Sequence, residues 1–245
     1  MAIDRERYRS TLHEMAAYAP CMSSIPLESS HADATEPHWL NEFLPPFDAV
    51  ALAFTLAKAA PATYLEIGSG ESTKLARWAI RQGGLPTRIV SIDPEPRSKI
   101  DSLCTTTYRG GLETAPAELY QSLEAGDVLF FDGSHRLTTN SDVAVFFLEV
   151  LPALKPGVLV QIHDIYWPLD YPPVWGDRDY SEQYVLGACL LLSPGSFEIL
   201  LPNTFVCEDT ELSADLDLLW RSLPIPEPMR HGQSFWFTKS QSGGQ

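Results

Sequence analysis

The feature that most constrains this chain of 245 residues is a short apolar run that ends in a glycine turn. Residues 64–73 read Tyr-Leu-Glu-Ile-Gly-Ser-Gly-Glu-Ser-Thr, and residues 89–93 read Ile-Val-Ser-Ile-Asp. Each run predicts a buried strand, and the first leads through Gly68 and Gly70 into a helix. Glycine permits a tight turn and a close approach of the backbone to a ligand. The pattern therefore predicts a strand, a turn, a helix and a second strand that ends at an acid, Asp93.

A glycine turn with an acid at the next strand's end is typical of the nucleoside-binding edge of a doubly wound α/β fold. The acid there accepts hydrogen bonds from a ribose. A dinucleotide fingerprint requires a small residue at the third position of the turn, and Thr73 stands there instead. Glu66, before the turn, would repel a pyrophosphate but suits a cofactor that carries an ammonium and a sulfonium. These features disfavour a nicotinamide-dependent oxidoreductase, which remains an alternative.

Apolar strands alternate with helical patterns over the rest of the chain, which indicates a parallel sheet buried on both faces. Further strands are predicted at residues 128–131, 158–162, 197–201 and 234–238, and helices at 72–82, 97–105, 142–154 and 212–223. Residues 1–60 are predicted to form an N-terminal helical cap or lid, 61–239 the α/β domain, and 240–245 a disordered tail.

The composition disfavours several classes of partner. The 32 acidic against 17 basic residues give a formal net charge of −15, which argues against nucleic acid and anionic membranes. Four widely spaced cysteines form no C-x-x-C pair, which indicates free thiols in a reducing compartment. The N-terminus lacks the apolar core of a signal peptide, and the longest apolar run, residues 184–192, is too short to span a bilayer. We expect a soluble cytoplasmic protein; the sequence leaves open whether it forms a homo-oligomer.

Two polar clusters follow the two central strands. Asp132 and His135 come after residues 128–131, and His163 and Asp164 come after residues 158–162. Ligands of an open α/β sheet bind beyond the carboxyl ends of its strands, so these four side chains should converge near the glycine turn. Histidine titrates near neutral pH, so either one could take a proton from a hydroxyl nucleophile. The alternative is that the histidines only bond to nearby backbone.

Several stretches together resemble a bacterial branch of the class I S-adenosylmethionine-dependent methyltransferases. They are the glycine turn, which resembles motif I, GDVLFFDGSH (126–135), LPALKPG (151–157), HDI (163–165), YPPVW (171–175) and EQY (182–184). The resemblance covers about residues 38–238 and departs at Gln161, where a histidine is expected. It implies a Rossmann-like, doubly wound, seven-stranded and mostly parallel sheet with helices on both faces. The last strand would insert antiparallel between strands five and six.

The resemblance also implies S-adenosylmethionine as cofactor and methyl transfer to a small-molecule acceptor, foremost at oxygen. The cofactor-binding residues that it implies are Glu66, Gly68, Ser69, Gly70, Ser72, Asp93 and Asp132. The candidate catalytic residues are His135, His163 and Asp164. Because fold alone does not determine chemistry, a protein that binds the cofactor without transferring methyl remains an alternative.

A divalent metal is a further expectation from the resemblance. Metal-dependent O-methyltransferases of this fold hold the ion with an acid after strand four and an acid pair after strand five. Asp132 and Asp164 match by position, and His163 stands where the first acid of the pair is expected. Such a set could hold Mg²⁺, although imidazole favours Mn²⁺, Fe²⁺ or Zn²⁺, and the ion would lower the pKa of an acceptor hydroxyl. The alternative is that Asp132 contacts only the cofactor.

An aromatic and proline-rich segment, residues 166–184, follows the second polar cluster. As a long insertion after a strand, it is a candidate wall of the acceptor pocket, although a packed surface loop is the alternative. Amphipathic aromatic side chains suit a planar or moderately apolar acceptor.

Overall fold

The protein is built around one twisted sheet; the computed structural model describes residues 4–29 and 34–240. The strands are β1 (Thr63–Ile67), β2 (Arg88–Ile92), β3 (Thr106–Tyr108), β4 (Val128–Phe131), β5 (Leu159–Ile162), β6 (Phe197–Pro202) and β7 (Phe235–Lys239). Their order is β3-β2-β1-β4-β5-β7-β6. Strands β1 to β5 pair in parallel, and β7 lies antiparallel between β5 and β6. This confirms the predicted Rossmann-like sheet and the inserted last strand.

Helices cover both faces of the sheet, as predicted. They are α1 (Arg5–Tyr18), α2 (Pro46–Ala59), α3 (Glu71–Gly83), α4 (Glu118–Gln121), α5 (Asp142–Val145), α6 (Leu151–Ala153), α7 (Glu182–Leu192), α8 (Asn203–Glu208) and α9 (Leu212–Trp220). A π-helical turn, Phe146–Val150, joins α5 to α6. Short 3₁₀ turns lie at Ala19–Met22, Asp101–Leu103, Leu112–Thr114, Pro173–Arg178 and Glu227–Met229. Within the described residues, no helix combines the length and apolar character that crossing a membrane requires.

Side chains of the strands alternate between two apolar cores, one on each face of the sheet. Tyr64 and Phe130 point into the core that α1, α2, α3 and α9 cover. Leu65 and Phe131 point into the opposite core, which α5, the π-helical turn and α7 cover. Both faces of β1 and β4 are therefore buried, which explains why these strands are apolar throughout.

Local sequence determines where the helices that flank the site begin. Helix α2 begins at Pro46, since a proline's missing N–H is no loss in the first turn of a helix. The Pro45–Pro46 pair thus starts a helix. Helix α3 begins directly after Gly70, and the backbone N–H of Gly70 donates to Thr73 Oγ1 over 3.0 Å. The glycine turn and the first turn of α3 are consequently one hydrogen-bonded unit.

The structure differs from the sequence prediction in the segment after β2. The predicted helix over residues 97–105 is wrong, because only the short turn Asp101–Leu103 is helical there. Strand β3, which the sequence analysis missed, follows it as an edge strand whose side chains are largely exposed. An edge strand of three polar residues carries no apolar run by which a sequence could reveal it. Of the predicted tail, only Ser240 lies within the described residues.

Candidate cofactor and acceptor site

Gly68 brings the tips of β1 and β4 together. Its φ is +80°, and a Cβ at this position would lie 1.8 Å from the backbone oxygen of Asp132. On the other side of the turn, the Asp132 N–H donates to the backbone oxygen of Ile67 over 2.9 Å. Only glycine fits both the left-handed conformation and this close approach. The glycine turn therefore abuts the polar cluster after β4.

The Glu66 carboxylate lies behind the turn and does not face a cavity. It is fully buried, accepts a hydrogen bond from Tyr64 Oη over 2.8 Å, and accepts another from Thr73 Oγ1. Burial raises the pKa of Glu66 to about 7, although these hydroxyl donors lower it. The carboxylate of Glu66 is thus engaged by side chains of β1 and α3. Through Thr73 and Gly70, Glu66 instead stabilises the turn.

A cavity of about 420 Å³ opens beyond the carboxyl ends of β1, β2 and β4. It is lined by Gly68, Ser69, Asp93 and Asp132, among other residues. The carboxylate of Asp93 is fixed from two sides, because the N–H of Ser69 donates to one oxygen over 2.6 Å and that of Glu95 to the other over 2.8 Å. Each oxygen keeps a further lone pair that can accept a hydrogen bond from a ligand.

Gly70 and Ser72 lie beside this cavity and do not line it. Both border a separate pocket of about 30 Å³, which also touches Ser69 and Asp132. Six of the seven predicted cofactor-binding residues thus line one of the two spaces beside Asp132, and Glu66 lines neither. Ser72 is buried in the first turn of α3.

A second cavity, of about 320 Å³, meets the first at Asp132. His135, His163 and Asp164 line it, so the structure brings together the four polar side chains that follow β4 and β5. His135 and Asp164 adopt left-handed backbone conformations with φ of 60° and 54°. Such conformations are strained for non-glycine residues and are concentrated at functional sites. Gln161 lies away from both cavities, buried against Ser234.

His135 is held between Glu182 on one side of its ring and Asp132 and Asp164 on the other. Its Nδ1 lies 3.0 Å from Glu182 Oε1, and its Nε2 lies 3.2 Å from Asp132 Oδ1 and 3.6 Å from Asp164 Oδ2. Burial alone would lower the pKa of His135. The charge of Glu182 and the hydrogen bonds to Asp132 and Glu182 nevertheless raise this pKa well above its usual range. These carboxylates therefore favour the imidazolium form of His135 over the neutral ring.

His163 is charged for a similar reason. Its Nδ1 lies 3.4 Å from Asp164 Oδ1 and 3.7 Å from Asp132 Oδ1, and its Nε2 lies 3.3 Å from Asp48 Oδ2. Burial lowers the pKa of His163, but these three carboxylates raise it to about 9. Neither histidine thus has the near-neutral pKa that the sequence analysis assumed for a general base.

The two carboxylates of the second cavity differ in proton affinity. For Asp132, burial would raise the pKa, yet the charge of His163 and the hydrogen bond and charge of His135 bring it below its usual value. For Asp164, burial prevails over the same two histidines, and its pKa is raised. Asp132 consequently stays ionised, and Asp164 is the better proton acceptor of the pair.

Two buried acids of the site escaped the sequence analysis. Asp48, on α2, accepts hydrogen bonds from the N–H groups of Gln233 and Ser234 and from Asn203 Nδ2, the last over 2.7 Å. Glu182, at the start of α7, belongs to the EQY stretch but was given no role in the site, although it is fully buried against His135. A lone carboxylate inside the apolar helix α2 was a usable signal for Asp48, because such a group is rarely buried without partners.

The predicted metal ligands are neighbours, but they do not form a metal site. Asp132, His163 and Asp164 line the same cavity. Nevertheless, across residues 4–29 and 34–240, no group of three or more His, Cys, Asp or Glu side chains could hold a metal ion. The ring nitrogens of both histidines are directed at carboxylates at 3.0–3.7 Å instead. The histidine nitrogens and the carboxylate oxygens that could bind a metal therefore contact one another instead.

Comparison with known proteins agrees with this fold. Residues 65–165 match the family model for a methyltransferase domain, and the chain matches no curated protein sequence. The O-methyltransferase from Bacillus cereus, solved in complex with SAH, is 13% identical with a TM-score of 0.50, covering 98% of this chain and 93% of that chain. The O-methyltransferase TomG from Streptomyces achromogenes, involved in tomaymycin synthesis and solved with SAM, is 14% identical with a TM-score of 0.47, covering 98% of this chain and 100% of that chain.

A third similar structure is the SAH-bound methyltransferase PaMTH1 from Podospora anserina. It is 14% identical with a TM-score of 0.47, covering 94% of this chain and 88% of that chain. At such identities the likeness is one of fold. The sheet order gives the chain a Rossmann-like fold that matches the Bacillus cereus O-methyltransferase, and residues 65–165 match a methyltransferase domain.

Proposed function

We propose that this protein is an S-adenosylmethionine-dependent methyltransferase that methylates a hydroxyl group of a small molecule. The observation that carries the proposal is the meeting of two cavities at Asp132. One cavity, of about 420 Å³, adjoins the glycine turn and Asp93, and the other, of about 320 Å³, is lined by His135, His163 and Asp164 among other residues. A group-transfer enzyme must hold two ligands with their reacting atoms in contact, and adjoining cavities allow this.

The first cavity is the proposed cofactor site. When bound, S-adenosylmethionine supplies a sulfonium-linked methyl group that a nucleophile can accept by in-line displacement. Asp93, fixed by the N–H groups of Ser69 and Glu95, is placed to accept hydrogen bonds from ribose hydroxyls. Asp132 remains ionised, so its carboxylate would attract the positively charged end of the cofactor.

The second cavity is the proposed acceptor site. Asp164 has a raised pKa and lines this cavity, so we assign it the role of accepting the proton of the acceptor hydroxyl. His135 and His163 are charged, and although their ring nitrogens stay paired with carboxylates, their positive charge would stabilise negative charge that develops on the oxygen. This assignment keeps all three predicted catalytic residues and moves the role of base from the histidines to Asp164.

The proposal includes no step that requires a metal ion, since the side chains as placed do not fit one. Proton transfer to Asp164 and the positive charges of two imidazolium groups would do what a divalent cation does in metal-dependent O-methyltransferases, namely stabilise the ionised acceptor. The two alternatives from the sequence, a cofactor-binding protein without turnover and a nicotinamide-dependent oxidoreductase, predict different ligand behaviour.

The test is turnover. The protein is incubated with S-adenosylmethionine and a panel of small hydroxylated compounds, and formation of S-adenosylhomocysteine is measured by mass spectrometry. We expect turnover with at least one acceptor and a loss of about 100-fold or more in Asp164→Asn, because removing a general base typically costs this much. Tight cofactor binding without turnover of any acceptor would favour the non-catalytic alternative. Binding of NADH in place of S-adenosylmethionine would favour the oxidoreductase.

A further inference from the structure

Two arginines of the acceptor cavity have no part in the proposed methyl transfer. Arg97 and Arg178 both line the cavity of about 320 Å³. Among the described residues, neither guanidinium lies in an ion pair with a carboxylate, and each is placed over an aromatic ring instead. In a chain with 32 acidic and 17 basic residues, carboxylate partners are plentiful. The free donors of these arginines are therefore available to a ligand.

Arg178 is held by stacking. Its guanidinium carbon lies 4.0 Å from the ring centroid of Trp175 and 5.5 Å from that of Tyr180. Asp177 and Asp179 flank it in sequence, yet the guanidinium pairs with neither. Stacking uses the face of a guanidinium and leaves the N–H donors in its plane free, and that donor fork matches a carboxylate or a phosphate.

The rings beneath Arg178 belong to a connected aromatic cluster. Trp175 stacks on Tyr171 at 6.1 Å between ring centroids and meets Tyr166 edge to face at 5.2 Å. Tyr180 lies 4.5 Å from the ring of His135. The aromatic rings that support Arg178 thus extend to His135, one of the residues of the proposed acceptor site. A planar ligand could contact the aromatic rings and reach both ends of the cavity.

Arg97, unlike Arg178, is not confined to the acceptor cavity. It stacks on Phe43 at 5.0 Å and lines both the cofactor cavity and the acceptor cavity. The carboxylate of a bound cofactor could therefore also engage it. Of the two cavities, Arg178 lines only the acceptor cavity. It is therefore the arginine that can discriminate between acceptors.

We propose that the acceptor is a small planar hydroxyarene that bears an anionic group, a carboxylate or a phosphate ester. Arg178 would bind the anion, Trp175 and Tyr180 would contact the ring, and the hydroxyl would face Asp164. The volume of about 320 Å³ is near the lower limit for small-molecule pockets, which favours a one- or two-ring compound. This inference rests on the proposed function and names the substrate class for the same site.

The test compares anionic with neutral ligands in the cofactor-loaded protein. Saturation with S-adenosylhomocysteine is confirmed first by calorimetry, and gallate, its neutral amide gallamide and phenyl phosphate are then titrated in separate experiments. Wild-type protein should bind gallate or phenyl phosphate about tenfold or more tightly than gallamide, because a charge-assisted pair with arginine is worth at least this ratio. The tighter of the two anions identifies a carboxylate or a phosphate as the preferred group.

Arg178→Gln should reduce the preference for the anion to about one, with gallamide affinity largely unchanged. The matched control is Arg221→Gln, which alters an exposed arginine beyond the end of α9, outside both cavities. Equal affinities for anions and gallamide in the wild type, or a preference that survives in Arg178→Gln, would overturn the inference. Turnover confined to neutral acceptors would overturn it while leaving the proposed function intact. Failure to bind S-adenosylhomocysteine would overturn both.

Discussion

Asp48 Oδ2 lies 3.3 Å from His163 Nε2, although Asp48 belongs to helix α2 and His163 follows strand β5. Both side chains are almost completely buried. The contact joins the N-terminal helices to the proposed acceptor site. It also places a carboxylate on the side of the imidazole that faces away from Asp132 and Asp164. Helix α2 thus contributes to the charge state of the site.

This contact predicts that Asp48→Asn lowers the pKa of His163, which is about 9 in the wild type. Loss of a nearby opposite charge typically shifts a pKa by about 1 unit or more. The titration of His163 is followed by NMR on protein labelled at histidine, with His135 as the internal control because it does not contact Asp48. An unchanged midpoint for His163 in a folded variant would contradict the contact.

Gly68 provides a second prediction, on stability. Gly68→Ala should lower the free energy of unfolding by about 3 kcal/mol or more, because it combines a left-handed backbone with an overpacked contact. The matched control is Gly195→Ala, since Gly195 has a φ of +85° and open space where a Cβ would be, whereas Gly68 has a φ of +80° and a Cβ would lie 1.8 Å from Asp132 O. The control should lose only about 1 kcal/mol. Equal losses in urea denaturation would show that the close approach is not real.

The pKa of Glu66 predicts a dependence of stability on pH. The folded-state pKa is raised to about 7, so the unfolded chain releases this proton at lower pH than the folded one. Protonated Glu66 therefore makes its full contribution to the free energy of unfolding below the pKa of the unfolded chain. This contribution is lost as pH rises through about 7. Glu66→Gln cannot ionise, so its stability relative to wild type should increase by about 3 kcal/mol between about pH 5 and about pH 8.

Urea denaturation at the two pH values measures this difference. The exposed Glu227→Gln variant serves as the control, because it removes a carboxyl group without touching a buried network. A difference between Glu66→Gln and wild type that stays constant with pH would mean that Glu66 is ionised normally in the folded state.

The arrangement of His135 and His163 leads to a prediction about metals. Since their nitrogens face carboxylates and the described side chains form no metal site, we expect turnover to survive treatment with EDTA. The measurement is turnover after EDTA and desalting, followed by addition of Mn²⁺ or Mg²⁺. Loss of activity that either ion restores would show that the side chains rearrange around a metal and would revive the ligand set Asp132, His163 and Asp164.

Much of the fold could be predicted from sequence because buried strands leave a clear pattern. The apolar runs of β1, β4 and β5 and the glycine turn located the sheet and its ligand-binding edge. Strand β3 was missed because an exposed edge strand needs no apolar side chains. The polar clusters after β4 and β5 could be placed together because parallel strands end at the same edge of a sheet.

The partners of those clusters could not be predicted in the same way. Asp48 and Glu182 reach the site from helices far along the chain, and nothing in local spacing pairs them with a histidine. Their charges raise the pKa of His135 and of His163 above the near-neutral value that the sequence analysis assumed for a histidine base. Likewise, Glu66 stands at a suggestive position in the turn, but its carboxylate turns inward to Tyr64 and Thr73.

The central claim is that the cavity beside Gly68 and Asp93 binds S-adenosylmethionine, and calorimetric titration with S-adenosylhomocysteine tests it most directly. Wild-type protein should bind with a micromolar dissociation constant, and Asp93→Ala should bind about tenfold or more weakly, because it loses hydrogen bonds between a carboxylate and the ribose. Asp217→Ala, which alters an exposed acid of α9, should match wild type. No binding to folded wild-type protein, or equal binding by all three proteins, would contradict the account.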